Sequence, residues 1–192
     1  MKHIADLFGL GNGKDCLIIG GGTSLAEFDF TQDLEDIYVI SINQHYNQLA
    51  DMIVYYDRKM QKYFRNPDHV PDDVLLVGFR HNHIDYTVER CTHYHDYKDI
   101  VFGDSGFHCL QFADRIFGFN NIYLLGYDYY TGDTTYHYNE SQSDETAMNR
   151  FKTWSIAEVL PKYNNIEWVN SIYNCSHESA LRLFPYKLPY QK

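Results

Sequence analysis

The 192-residue sequence contains no apolar run approaching the roughly 18–20 residues of a membrane span. A membrane-crossing helix is therefore not expected. The amino-terminal stretch MKHIADLFGLGNG has no long apolar segment of the kind that opens a secretory leader, and a cytoplasmic setting is expected. There is no block of basic residues either: 16 Lys and Arg face 26 Asp and Glu, for a net charge of -10. Long-tract nucleic-acid binding needs clustered cations to replace counterions, so this balance argues against it. A small anionic ligand held by backbone N–H groups is still allowed. Cysteine is sparse: Cys16, Cys91, Cys109 and Cys175 are far apart, with no C-x-x-C and no disulfide framework. They read as reduced core thiols. The dinucleotide pattern G-x-G-x-x-G, the P-loop, D-x-D and a nucleophile elbow are all missing, as are repeats and low-complexity segments.

What is present suits one domain of ordinary size, with 44% hydrophobic and 22% charged residues. Aromatics make up 17%, including 18 tyrosines. Tyrosine joins a flat apolar face to a hydroxyl, which suits rings and sugars but equally suits core edges and the interface of a homo-oligomer. Apolar runs of strand length recur at Leu17–Ile19, Ile37–Ile42, Met52–Tyr56, Val74–Val77, Ile122–Leu125 and Ile166–Val169. They are continuous rather than alternating, which marks strands covered on both faces. Helices are expected over Ser105–Phe117, with Ser105 as N-cap, and over Ser143–Leu160, stopping at Pro161. The polar, aromatic stretch Arg80–Tyr97 reads as an excursion or a lid. The expected fold is a single α/β domain over residues 1–192. It is a Rossmann-like, doubly wound, mostly parallel sheet with helices on both faces.

In such sheets ligands bind beyond the carboxyl ends of the strands, at the switch point. Gly20, Gly21 and Gly22 directly follow the first apolar run. Bare backbone there lets N–H groups approach a phosphate, and Thr23 and Ser24 add hydroxyls. A structural turn explains such a triplet about as often. A second glycine-rich turn, Gly103-Asp104-Ser105-Gly106, opens the Ser105 helix. Two anion-friendly turns suit a nucleotide diphosphate or a nucleotide-sugar.

The ordered segments GGGTSL (20–25), SINQHY (41–46), VYYDRK (54–59), GDSGFHCLQFA (103–113), NIYLLGYDYY (121–130) and VNSIYNCSHESALRLFPY (169–186) carry a resemblance. Together they resemble a family of small Rossmann-like proteins common in phage and bacterial genomes. That family is related to MptE-like 6-hydroxymethylpterin pyrophosphokinases and motility-associated flagellin glycosyltransferases. The same order is similar to bacterial sialyltransferases that use CMP-sialic acid. The resemblance implies a nucleotide-sugar donor and, as an alternative, Mg²⁺-dependent diphosphate transfer. The sialyltransferase loop G-N-G-P-S-L falls on Gly20 to Leu25, with Gly21 in place of the asparagine. C-N-Q-F-Y falls on Ile42 to Tyr46 and implies that Asn43 contacts the phosphate side. T-S-G falls on Asp104, Ser105 and Gly106, and G-I-D-F-Y on Gly126 to Tyr130, implying that Tyr127 and Tyr130 lie at the donor phosphate. Tyr136-His137-Tyr138 looks like the remnant of an H-W-H found in phage relatives.

An inverting transfer needs a base for the acceptor's proton and help for the departing phosphate. His137, in the polar loop GDTTYHYNESQSD, is the candidate base, with an exposed loop histidine as the plain alternative. Asp57 and Asp128 each follow an apolar strand and are expected to share a cleft. There they bind Mg²⁺, hold ribose hydroxyls or cap turns; Mg²⁺ is allowed but not required. The pairs His81/His83 and His93/His95 have the spacing of ligands on a strand, although a polar loop is the simpler reading. The turn Asn174–Ser179 is expected to return to the cleft before a short helix packed by Leu181 and Phe184. Acceptors in this reading are a glycan, a protein or a modified nucleobase. The alternative of another class is a nucleotide-binding protein without turnover.

Overall fold

Cys16, Leu17, Ile18 and Ile19 are fully buried, and successive residues enter different cores. Cys16 and Ile18 join Phe107, Cys109 and Leu110 on one face, while Leu17 and Ile19 join Leu25, Val39 and Leu125 on the other. A strand apolar at every position belongs at the centre of a sheet with two covered faces. The chain is described by a computed structural model over residues 1–32, 34–43, 47–96, 100–129 and 155–190.

Among these residues, strands run over Lys2–His3 (β1), Asp15–Ile19 (β2), Ile37–Ile42 (β3), Met52–Val54 (β4), Leu75–His81 (β5), Ile84–Asp85 (β6), His93–His95 (β7), Asn121–Leu125 (β8) and Ser171–Asn174 (β9). Two α-helices span Arg58–Phe64 (α1) and Ser105–Phe112 (α2). The sheet order is β1-β7-β5-β4-β3-β2-β8-β9, parallel at every pairing, with β6 antiparallel to β5. α2 packs on one face through Phe107, Cys109 and Leu110, and α1 on the other through Met60 and Phe64. This is an α/β Rossmann-like fold. The chain winds from β2 through β3, β4 and β5 to one side, then returns to place β8 and β9 on the other. Its switch point therefore lies between β2 and β8, where such folds hold ligands. All four cysteines are buried free thiols. No helix among the described residues is long and apolar enough to cross a membrane.

Several local expectations are corrected. Ile166–Val169 is not a strand: Val169 is 77% exposed, and the strand begins at Ser171. The buried Asp114 carboxylate accepts the Val169 and Asn170 amides at 3.1 and 2.8 Å, which holds them out of the ladder. Asp104, not Ser105, caps α2, accepting from Phe107 N at 2.8 Å. α2 continues as a π-helical turn over Ala113–Phe117. Of the helix expected at 143–160, residues 143–154 lie outside the described set. Helical turns then run over Ser155–Val159 and on through Leu160–Asn165, so Pro161 sits in a first turn rather than at a stop. The segment after Ser179 forms turns rather than a helix, although Leu181 and Phe184 are buried as expected. Within Arg80–Tyr97, the β5–β6 hairpin leaves the sheet, but His93–His95 returns as a strand between β1 and β5.

Candidate functional site

The extension of β8 joins the two glycine-rich turns, and it does so by alternation. Gly126 and Asp128 face the loop after β2, while Tyr127 and Tyr129 face α2. On the first side, Gly20 N donates to Leu125 O at 2.7 Å and Gly22 N to Gly126 O at 2.9 Å. The Asp128 carboxylate accepts Ser24 N at 2.8 Å, Ser24 Oγ at 2.6 Å and Thr23 Oγ1 at 3.3 Å. On the second side, Tyr127 donates to Gly106 O at 3.0 Å, and Tyr129 donates to the Asp104 carboxylate at 2.8 and 3.0 Å. Tyr129 and Tyr163 hydroxyls lie 2.9 Å apart. Tyr129 has one proton and gives it to Asp104, so Tyr163 donates in that pair. Burial, reinforced by nearby Asp104, holds Tyr127, Tyr129 and Tyr163 well above the ordinary phenol range, so all three remain donors. The turn after β9 locks the extension from outside: Ser179 Oγ donates to Tyr127 O at 2.6 Å and Ala180 N to Asp128 O at 2.7 Å.

This geometry explains the glycines. A Cβ on Gly22 would stand 2.4 Å from Asp128 Oδ2 and 2.8 Å from Gly126 O. A Cβ on Gly126, at φ +73°, would stand 2.9 Å from the Gly20 carbonyl. The backbone is bare because another backbone crosses it. The amides of Gly20 and Gly22 and the hydroxyls of Thr23 and Ser24 therefore already have protein acceptors, contrary to the expectation of an open cradle. The Gly21 and Thr23 amides lie outside these bonds. At α2, Asp104 satisfies Phe107 through its side chain and His108 through its carbonyl, leaving the Ser105 and Gly106 amides as the open donors of that turn among the described residues. Asp128, expected as catalytic, has both carboxylate oxygens bonded to Thr23 and Ser24.

Asn43 directly follows β3, one strand from β2, with its backbone at φ +63°. Its Oδ1 is buried without a hydrogen-bond partner among the described residues. A buried acceptor without a donor is costly, so this atom is suited to a ligand N–H or O–H. Asp57 is exposed and caps α1, accepting Met60 N at 2.8 Å. It follows β4, three strand spacings from β8, or roughly 14 Å. One Mg²⁺, with bonds of about 2.1 Å, does not bridge Asp57 and Asp128, so the shared-metal reading does not fit. No group of three or more metal-ligating side chains occurs among the described residues. His137 and Tyr130 lie outside the described residues.

A buried ring cluster with no motif in the sequence lies at the same sheet edge. Tyr56 packs its ring 4.3 Å from His95 and 5.3 Å from His108. His95 Nε2 lies 3.0 Å from Tyr55 O, an acceptor only, so Nε2 carries the proton. His108 Nε2 instead accepts Gly103 N at 2.7 Å, which puts its proton on Nδ1. Burial lowers the His95 pKa to about 4, and burial with His95 nearby lowers that of His108 to about 3. Of the histidines at 93 and 95, His95 belongs to this ring cluster, and His93 lies 3.0 Å from Thr92 Oγ1. The signal available in advance was a histidine flanked by apolar residues in GFHCLQF. Tyr129 had its signal in the segment NIYLLGYDYY, two residues after Tyr127.

No protein-family model matches the chain, and no curated protein matches it. Solved structures do. The sialyltransferase CST-II in complex with a trisaccharide acceptor and CMP aligns at a TM-score of 0.52 and 18% identity, over 90% of this chain and 85% of that one. CstII from Campylobacter jejuni with the substrate analogue CMP-3FNeuAc aligns at 0.51 and 18%, with the same coverage. The CstII complex with cytidine-5'-monophosphate aligns at 0.52 and 17%, over 92% and 85%. At this identity the likeness is one of fold: the chain shares the Rossmann-like α/β architecture of a sialyltransferase.

Proposed function

We propose that this chain is a nucleotide-sugar-dependent glycosyltransferase of sialyltransferase-like architecture. One observation carries the reading. The alternating bonds of Gly126–Tyr129 bring both glycine-rich turns to the sheet's switch point, in a fold shared with proteins solved bound to CMP. In this reading the donor phosphate lies between the Gly21 and Thr23 amides and the Ser105 and Gly106 amides. Asn43 Oδ1 accepts from the ribose or the base. Gly20, Gly22, Ser24, Asp104, Tyr127 and Asp128 hold these groups in place, and Tyr130 adds a hydroxyl to the phosphate.

The chemistry is displacement at the sugar carbon by an acceptor hydroxyl. Backbone amides stabilise the charge that develops on the departing phosphate. In this reading His137 takes the acceptor's proton. Acceptors are a glycan, a protein or a modified nucleobase.

A thermal-shift panel of CMP, UDP, GDP and ADP with their sugars tests the donor. A nucleotide at about 100 times its Kd should add about 2.7 kcal/mol of stability. Asn43→Gly tolerates the positive φ and removes the amide, so it should weaken that nucleotide by roughly tenfold while remaining folded. No stabilisation by any nucleotide would overturn the reading. With donor bound, His137→Ala should cut turnover by roughly 10²–10⁴ at nearly constant donor affinity.

A second reading, nucleotide binding without turnover, draws on one fact. Both carboxylates of the corner, Asp104 and Asp128, already accept hydrogen bonds from protein donors. It predicts stabilisation by nucleotide with no transfer to water or any acceptor.

A further inference from the structure

We propose that the open groove between α1 and the β5–β6 hairpin binds a small anionic ligand, a carboxylate or phosphate carried on a sugar-sized body. Arg58 and Gln61 on α1 and Arg65 at its C-cap recur at helical spacings of three and four, so they form one stripe. The hairpin forms the facing wall, with His83 and Tyr86 lining a cavity of about 430 Å³. That is ligand-sized space.

The walls are held before any ligand arrives. Gln61 Nε2 donates to Thr87 O at 3.0 Å and to Asp85 O at 3.3 Å, tying the stripe to the hairpin. Tyr86 N donates to Phe79 O at 2.8 Å, and the Tyr55 hydroxyl donates to Tyr86 O at 2.5 Å. The acid in the groove is already engaged: Asp85 accepts Thr87 N at 3.0 Å and Thr87 Oγ1 at 2.6 Å, and pairs with Arg80 at 3.5 Å. Arg58 and Arg65 have no carboxylate partner among the described residues. In a chain of net charge -10, two unpaired guanidinium groups line one cavity. A guanidinium fork matches a planar carboxylate or a phosphate, while Tyr86 lines the same groove. The groove opens beside the ends of β4 and β5, on the same sheet edge as the switch point but several strands away.

This proposal stands apart from the donor reading and is tested without any nucleotide. The full chain is titrated calorimetrically with glucose 6-phosphate, glucuronate, inorganic phosphate and neutral glucose. At least one of the two charged sugars should bind, and glucose should not. Preference between them, with inorganic phosphate as reference, separates a phosphate from a carboxylate ligand. Arg58→Ala and Arg65→Ala should each weaken binding by about tenfold or more. Both side chains are exposed, so circular dichroism and Tm should match the parent, as should stabilisation by any nucleotide that binds the switch point. Absence of binding by both charged sugars, equal binding of glucose, or full binding by the double variant would overturn the proposal.

Discussion

Asp128 shows how one side chain can hold two segments more than a hundred residues apart. Its two oxygens take three bonds from Thr23 and Ser24, and its own amide unit is pinned through Ala180 N. Bonds of this kind to a buried carboxylate are among the stronger ones in proteins, at about 1.5–3 kcal/mol each against an unmet partner. Asp128→Asn presents an amide N–H₂ to donors and should lose about 1–3 kcal/mol in urea denaturation. Gly22→Ala forces a methyl to within 2.4 Å of Oδ2 and should lose a similar amount. Because both break the same contact, the double variant should lose less than the sum. Additive losses would mean that Gly22 and Asp128 are not in contact.

At the scale of the element, α2 combines a charged cap with a buried histidine. Asp104 caps the Phe107 amide, and four residues on, His108 is 2% exposed. Burial is the first cause of the lowered pKa of His108, with the charges of His95 and Lys162 adding to it. For His95 burial again leads, partly opposed by its bond to the Tyr55 carbonyl and by Asp96. Both groups bind protons more weakly folded than unfolded, so the unfolded chain takes up protons first as pH falls. Their contribution is fully present above the ordinary histidine value of 6.5 and is lost as pH falls toward about 4 for His95 and about 3 for His108. Between about pH 6.5 and 5, before most carboxylates titrate, stability should fall by of order 1–2 kcal/mol per pH unit. His108→Gln keeps an acceptor for Gly103 N and should reduce that slope by about half. Equilibrium urea curves across the window measure it, and a flat profile would mean that both rings are solvated.

For the whole molecule, protection follows coverage. β2 and β8 are interior strands buried on both faces, whereas β1 and β9 close the two ends of the sheet and β6 stands off it. Native-state hydrogen exchange should be slowest at Leu17–Ile19 and Ile122–Leu125, and fastest among the strands at Lys2–His3 and Ile84–Asp85. Slow exchange at β6 equal to that of β2 would show that the hairpin opens only with the whole domain.

The class of fold was legible in the chain because continuous apolar runs need two covered faces. Ile37–Ile42 is a strand from its first residue to its last, and the β2, β4, β5 and β8 runs lie within a few residues of their apolar cores. Lys2–His3 and His93–His95 were not legible. Two or three polar residues have no periodicity, and they become strands because Val77 and Gly78 lie alongside His93 and Tyr94 in parallel register. α1 was hidden likewise, being only seven residues long. At the site, local sequence determined that the backbone at Gly20–Gly22 is bare and that a second turn opens a helix. Only the tertiary structure decided what approaches that backbone. Placing β8 beside β2 brings Gly126 and Asp128 onto it, and these partners sit over a hundred residues downstream. A glycine states that space is needed; the sheet order states what fills it.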